Sequence, residues 1–304
     1  MKQIRPQWYS SLPFLVSGEG AVFKLRWKLK GVRSVDGQEL SRKNSEDSVE
    51  VRPEAPSLYL DAGNNGIMYA GSRQLKASVS NLRDLTVRGY RIRDGYQHQT
   101  MAAYRKIYER DREAPLSRTV TDLDRRHFLP AELLAADKKG ALTLDVRGKT
   151  EASIGLDGLF GGAVEPGMYF IEVEGRVSDP VLEAYKLFGA PSENGGRREF
   201  SRDEASYAVQ ALVQVTDMGV LHKKTADDMF VYVYSLATGK AAEKAQVQLL
   251  DAGGAVLASV PVEQGAVRLP MTRMGGKAAY VRVLSGADSY LSPLEDWPGK
   301  VSTW

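Results

Sequence analysis

Cysteine is absent from this chain of 304 residues. The chain therefore has no disulfide, thiolate zinc site, catalytic thiol or thioester of its own. Long apolar runs are missing too: no stretch approaches the ~20 residues that cross a bilayer. The start, from Met1 to Pro6, lacks the apolar core of a signal peptide. We expect either a cytosolic protein or, as we favour, a piece cut from a longer exported one.

Blocks of one charge are also scarce. The chain has 41 basic and 38 acidic residues, which gives a formal net charge of +3. Its basic clusters, Arg197–Arg198 and residues 222–224, are short, whereas a nucleic-acid tract needs many phosphate contacts. They indicate solvated surface, and no nucleic-acid partner is expected. The hydrophobic share of 43% over 304 residues suits two domains, or three small ones.

The dominant pattern in the chain is a period of two, which is typical of β-strands. Short apolar strands alternate with glycine-rich turns near the C-terminus, at residues 230–234, 247–251, 256–260, 267–269 and 279–284. In the last of these, Tyr280, Arg282 and Leu284 are expected on one face, and Val281 and Val283 on the other. This rhythm predicts a complete antiparallel β-sandwich over residues 204–304.

The middle of the chain predicts a second sandwich, over residues 56–203. Its expected strands are residues 58–60, 75–79, 85–92, 142–146 and 168–173. An apolar stripe of Met101, Tyr104, Ile107 and Tyr108 predicts an inserted helix at about 97–110, over an open end or edge of the sandwich. Residues 189–203 are rich in glycine, proline and charge, and we interpret them as a linker.

The first 55 residues contain too few strands for a sandwich of their own. Residues 22–27 alternate clearly, and residues 32–37 end in an Asp-Gly turn signal. We interpret residues 1–55 as the last strands of a preceding sandwich. The predicted fold is therefore all-β, with tandem antiparallel β-sandwich domains of immunoglobulin-like type, one of which contains a helix.

The polar candidates do not assemble into a catalytic or metal site. His98, His127 and His222 fall in separate segments without ligand spacing. The carboxylate pairs Asp122/Asp124 and Asp227/Asp228 flank predicted strands, where turns are their usual role. We expect no catalytic, cofactor-binding or metal-binding residues, and no enzyme activity.

The glycine-rich loops and the tryptophans have ordinary explanations as well. Gly63-Asn64-Asn65-Gly66 and Gly158-Leu159-Phe160-Gly161-Gly162 lack the Gly-Lys-Ser/Thr ending of a phosphate loop, so turns are expected. Trp8, Trp27, Trp297 and Trp304 lie near the chain ends. They suit packing between domains, or a sugar-binding platform.

One run of residues resembles a known family. It comprises Val215-Thr216-Asp217-Met218-Gly219-Val220 and, further on, Ser235-Leu236-Ala237-Thr238-Gly239-Lys240. This combination is similar to the macroglobulin-domain signature of bacterial alpha-2-macroglobulins. Residues 87–92, 167–173 and 287–294 resemble other strands of the same family, and the resemblance covers about residues 56–294.

The resemblance implies a non-catalytic scaffold portion of a periplasmic or extracellular protein that traps proteases. In such proteins a protease cuts a bait segment, and the domain string rearranges around the protease. Members with a Cys-x-x-Gln thioester also bond to it, a step that this chain, without cysteine, does not supply. The implied partners are of three kinds: proteases, which the full-length parent would bind; neighbouring domains of the same parent; and other envelope proteins.

Two other functions remain open at this point. An adhesion or carbohydrate-binding sandwich would depend on exposed aromatic residues such as Trp8 and Trp27. A hydrolase with its site on sandwich loops would need a nucleophile, a base and an orienting group close together. The fold does not choose among these functions, because sandwiches host many.

Overall fold

The structure is a computed structural model that describes residues 23–28, 46–51, 56–61, 67–69, 71–111, 135–188, 190–191, 197–198, 206–225, 227–271 and 277–294. Most of these residues form strands, which confirms the all-β prediction. The predicted strand at 32–37 lies outside the described residues. Before the first sandwich come β1 (Phe23–Lys28) and β2 (Glu46–Val51), which pair antiparallel.

The elements of the first sandwich are β3 (Ser57–Asp61), β4 (Ile67–Tyr69), β5 (Gln74–Ser80), β6 (Leu82–Ile92), α1 (Gln97–Asp111), β7 (Ala136–Asp145), β8 (Glu151–Gly155), α2 (Leu156–Phe160), β9 (Gly167–Val177), α3 (Asp179–Phe188), β10 (Ala190–Pro191), β11 (Arg197–Arg198) and β12 (Ser206–Thr216). The elements of the second sandwich are β13 (Met218–Lys224), β14 (Asp228–Ser235), β15 (Gln246–Asp251), β16 (Val256–Pro261), β17 (Ala266–Pro270), β18 (Ala278–Ser285) and β19 (Asp288–Pro293).

Two sheets enclose the core of the first sandwich. One has the strand order β3-β5-β8, and the other has the order β4-β12-β9-β6-β7. Alternate residues of β6, β9 and β12, such as Val87, Ile171 and Val213, enter this core. The paired glycines Gly89 and Gly140 leave room for Leu159 and Phe160 of α2, because a side chain at either glycine would overlap α2.

The second sandwich has sheets β13-β14-β17 and β16-β15-β18-β19. Its core contains Val231, Val247 and, from β18, Val281 and Val283. The predicted division of β18 into two faces is confirmed, because Tyr280 belongs to a different cluster on the opposite side of the sheet.

The change from one sandwich to the next differs from the predicted boundary at residues 203 and 204. Strand β12 pairs with β9 from Ser206 to Val215, so it completes the first sandwich. The cause is its burial: β12 is apolar on its inner face and is covered on its outer face over its second half. We propose a boundary at Asp217, the single residue between β12 and β13.

Several helical and loop predictions also need correction. Helix α1 contacts the outer face of the five-stranded sheet and not an end or edge of the sandwich, since Met101 and Tyr104 join a cluster with Phe170. The Gly158–Gly162 stretch was expected to be a turn, but it contains most of the short helix α2, which Gly161 ends at a φ of 71°. Helix α3 was not predicted. Within the predicted linker, β10 and β11 pair antiparallel.

Candidate functional site at the junction of the two sandwiches

The outer faces of two sheets meet at an apolar junction between the sandwiches. From the first sandwich come residues of β6, β9 and α1, and from the second come residues of β15, β18 and β19. Its buried members are Tyr90, Ile92, Met101, Tyr104, Met168, Phe170, Leu250, Tyr280 and Leu291. We call this set the junction cluster.

Neighbouring residues of one strand serve two cores at once. Leu249 lies in the core of the second sandwich, whereas Leu250 lies in the junction cluster. Tyr290 and Leu291 divide in the same way on β19. Because successive side chains of a strand point to opposite faces, these sheets are buried on both sides where they meet.

Aromatic rings form the centre of the junction cluster on the first sandwich. Phe170 is fully buried, and the ring of Tyr104 meets it edge-on at a centroid distance of 6.2 Å and an angle of 82°. Tyr90 lies on another side of Phe170, at 6.3 Å. The Tyr104 hydroxyl donates to the carbonyl oxygen of Gln210, 3.1 Å away, which fixes α1 on the sheet.

Gln214 joins the two sandwiches by a pair of hydrogen bonds. Its Nε2 donates to the carbonyl oxygen of Leu291, and the backbone N–H of Leu291 donates to its Oε1, both at 2.7 Å. Strand β19 is the outermost strand of its sheet. The Gln214 amide therefore replaces the donor and acceptor that a neighbouring strand would offer to Leu291.

The link between the sandwiches is held by the carboxylate of Asp217. Its Oδ2 accepts from Ser235 Oγ at 2.7 Å, and its Oδ1 accepts from the N–H of Ala237 at 2.8 Å. Its carbonyl oxygen accepts from the N–H of Leu236. Gly219 follows in the chain, where a Cβ would overlap the ring of Tyr234. Two separate parts of the family signature thus meet at the link.

A second carboxylate, that of Asp288, meets the link from β19. Its Oδ2 accepts from the backbone N–H of Asp217 at 2.8 Å. Burial raises the pKa of Asp288, and the neighbouring negative charge of Asp217 raises it further, while hydrogen bonds from Asp217, Thr216 and Ser289 oppose the change. The Asp288 carboxyl is thus a charged group that the fold partly removes from water.

Replacing Asp288 with asparagine is expected to stabilise the chain near pH 7. The raised pKa means that the folded chain holds this proton more tightly than the unfolded chain does. The associated stability is present below the unfolded pKa, near 3.9, and is lost as the pH rises through the folded pKa. The asparagine amide would keep an acceptor for the Asp217 N–H without the charge. The gain in stability over the parent chain should therefore shrink towards pH 4, where the parent carboxyl is itself protonated. Urea unfolding of both proteins at several pH values measures this.

Asp145 provides a control, because its pKa is shifted in the direction opposite to that of Asp288. Hydrogen bonds from Arg147 lower the pKa of Asp145 to about 2, so its contribution is present at neutral pH and is lost as the pH falls through the folded value. Asp145→Asn should therefore lose stability at neutral pH and match the parent chain in strong acid. Identical pH profiles for Asp288→Asn and the parent chain would contradict the account of Asp288.

His98 contacts the second sandwich at Tyr280 and at Gly254. His98 is the second residue of α1 and is 8% exposed, with its ring 6.4 Å from that of Tyr280. The Tyr280 hydroxyl donates to the His98 carbonyl oxygen at 3.4 Å. Gly254 has a φ of 86°, and a Cβ there would lie 2.4 Å from Cε1 of His98. The His98 ring thus fills the space that a side chain at Gly254 would need.

The structure places the two histidines that it describes on different elements. His98 lies at the junction and His222 lies on β13, while His127, Asp122 and Asp124 lie outside the described residues. Asp228 forms an ion pair with Arg268 at the start of β14, and the carbonyl oxygen of Asp227 accepts from Met271 N–H. No group of three or more metal-ligating side chains occurs within the described residues. Gly63–Gly66 and the side chains of all four tryptophans are likewise outside them.

The comparisons with known proteins agree with the family signature. Residues 215–300 match the family model of the bacterial alpha-2-macroglobulin MG3 domain. This part of the chain is similar to that MG3 domain. The MG3 match begins at the end of β12, next to the Asp217 link. The resemblance to the family is thereby confirmed.

Solved structures of bacterial alpha-2-macroglobulins are similar to most of the chain. Native alpha-2-macroglobulin from Escherichia coli, spanning domains MG0-NIE-MG1, has 15% identity and a TM-score of 0.48, over 90% of this chain and 74% of that chain. Trypsin-activated alpha-2-macroglobulin from Escherichia coli has 16% identity and a TM-score of 0.51, over 79% of this chain. The match spans 14% of that longer protein. No curated protein matches this chain in sequence.

Sequence reasoning located the macroglobulin-domain signature but missed the junction contacts. Gln214 and Gly254 carry no motif, and Asp288 lies in a segment that was recognised only as a strand of the family. The partners of all three come from other strands or from α1. The available signal was the apolar face of β18 that carries Tyr280, opposite the core face. None of the helices in the described part of the chain is long and apolar enough to cross a membrane.

Proposed function

We propose that the chain is a non-catalytic scaffold portion of a bacterial alpha-2-macroglobulin-like protein and supports protease trapping by its full-length parent. The match of residues 215–300 to the MG3 domain carries this proposal. The partners are then proteases met by the parent, and other domains of the same parent. The location is the periplasm or the extracellular space.

The junction suits a scaffold because it holds two sandwiches at one angle. A single residue, Asp217, connects β12 to β13, so the chain leaves little freedom between the two sheets. The Gln214 pair, the Asp288 contact and the junction cluster all act across the same boundary. A change in the angle between the sandwiches would have to break all of these contacts together. While the contacts hold, a movement of one sandwich is therefore transmitted to the other.

Protease trapping is tested on the full-length parent with trypsin as the protease. A trap encloses the protease but leaves its active site open to small molecules. We expect trypsin to lose activity on a large substrate such as azocasein and to keep it on a small chromogenic peptide. Full activity on both substrates would rule out the inhibitor function, and loss of both would indicate direct blocking of the active site instead.

The glycan-binding alternative depended on Trp8 and Trp27, and their side chains lie outside the described residues. It has a separate test. A glycan-binding module would bind immobilised glycans saturably as the isolated chain, and replacing Trp27 would weaken that binding. The scaffold proposal expects no such binding.

A further inference from the structure

Within the described residues, strand β13 is an edge strand of the second sandwich. The sheet order is β13-β14-β17, so β14 is the neighbour of β13 within the described part of the chain. The pairing is regular from Met218 with Ser235 to Lys224 with Met229, without a bulge. The strand contains no proline, so one long side of it has the geometry that a further strand requires.

The hydrogen bonds at both ends of β13 show which backbone groups point outward. Leu236 N–H donates to Asp217 O at 2.6 Å, and Thr225 N–H donates to Asp228 O at 2.7 Å. Since pairs alternate in an antiparallel ladder, the backbone groups of Gly219, Leu221 and Lys223 point towards β14. Those of Val220 and Lys224 therefore point away from it.

The face beside this edge is apolar and exposed. Leu221, Phe230 and Tyr232 are 50%, 47% and 40% exposed, respectively. Tyr232 is the register partner of both Leu221 and Ala266, so the apolar side chains cross the sheet from β13 to β17. With Lys223 and Arg268 at one end, they line a groove of about 380 Å³.

We propose that β13 is a docking edge for an extended peptide strand of another protein. The docked peptide strand carries apolar side chains at alternate positions, with a carboxylate beside Lys223. Backbone groups directed outward from a straight edge match another strand, and alternate side chains of an added strand fall on the face of Leu221. Lys223, on the face of the groove, supplies charge complementarity. This interaction goes beyond the scaffold role.

The test uses the 304-residue chain and the synthetic peptide acetyl-Thr-Val-Thr-Phe-Thr-Glu-Glu-amide. Nuclear magnetic resonance titration and amide hydrogen exchange report binding at β13. We expect saturable shifts, and exchange of the Val220 and Lys224 amides should slow at least tenfold. A peptide ending in Lys-Lys instead of Glu-Glu should bind several-fold more weakly.

Two N-methylated peptides distinguish strand pairing from binding on the surface of the groove. Methyl groups on one alternate set of peptide nitrogens face β13 and should abolish binding, whereas methyl groups on the other set should leave it intact. Val220→Pro should weaken binding at least tenfold, because the lost N–H points outward and belongs to no ladder bond. If that variant does not fold, the two methylated peptides decide the question on the unaltered chain.

The remaining outcomes overturn the proposal. Absence of saturable binding by the acidic peptide removes the docking edge. Equal binding of both methylated peptides shows a groove contact without strand pairing. Slowed exchange of the same amides that depends on chain concentration, without peptide, assigns the edge to a second copy of this chain. None of these outcomes bears on protease trapping by the parent.

Discussion

Replacing Gln214 with leucine is expected to destabilise the chain by about 2–5 kcal/mol. Leucine fills nearly the same volume, but it offers Leu291 neither a donor nor an acceptor. Both backbone groups of Leu291 then stay buried and unpaired, since their bonds to Gln214 are buried. Each such group costs about 1–3 kcal/mol. Urea unfolding, followed by circular dichroism and by fluorescence, measures the loss.

The effect should also be local to the junction. We expect faster amide exchange at Leu291 and in α1, and a separation of the unfolding of the two sandwiches into distinct transitions. A single transition in the parent chain and two in the variant would show that Gln214 couples them. Such coupling is the property on which the proposed scaffold role depends.

Gln248 provides the matched control for this substitution. It is a glutamine on β15 of the second sandwich, and its amide contacts Arg282 and Ser259 on the neighbouring strands. It is partly exposed, so water replaces the lost hydrogen bonds in Gln248→Leu, and we expect a change of less than about 1 kcal/mol. Equal effects at Gln214 and Gln248 would show that the junction pair has no special importance.

The strands of this chain were predictable because their side chains alternate. Residues 230–234 and 279–284 have one apolar face that belongs to a core, and the structure places Val231, Val281 and Val283 there. We propose a boundary at Asp217 and not at residue 204, because β12 pairs with β9 and has apolar residues in the core of the first sandwich. Alternation identifies a strand, but it does not identify the sheet that the strand joins.

The junction was much less predictable, for a related reason. A glutamine in a strand, such as Gln214, gives no local signal of a buried partner 77 positions away. The Asp217 signature was recognisable as a family pattern, yet its physical basis appears only when the turn at Ser235 and Ala237 folds against it. Helix α2 likewise depends on Gly89 and Gly140, which are distant in the chain.

Replacing Gly254 with alanine is the second substitution with a large expected effect, again about 2–5 kcal/mol. Two costs add. Residues with a side chain rarely adopt the φ of 86° found at Gly254, and this backbone conformation costs them about 1–2 kcal/mol. The new methyl group would also overlap the buried ring of His98, and overpacking costs about 1–3 kcal/mol. Thermal and urea unfolding measure the total, and exchange at α1 shows whether the junction loosens.

Gly239→Ala separates the two costs. Gly239 also has a positive φ, 69°, but nothing lies within 4 Å of its missing Cβ. This control should lose only the backbone part, about 1–2 kcal/mol, so the excess at Gly254 measures the contact with His98. If Gly239→Ala and Gly254→Ala are equally destabilised, the contact across the junction contributes nothing.

The double variant His98→Ala/Gly254→Ala tests the same contact from the other side. His98→Ala alone removes a buried ring from between α1 and Tyr280 and leaves a cavity. The methyl group introduced at position 254 would then enter that space instead of meeting the ring, so the double variant should be more stable than the sum of the single effects implies. Residues in contact typically couple by about 0.5–3 kcal/mol. Strict additivity would mean that helix α1 and the β15–β16 turn do not hold the two sandwiches together through this pair.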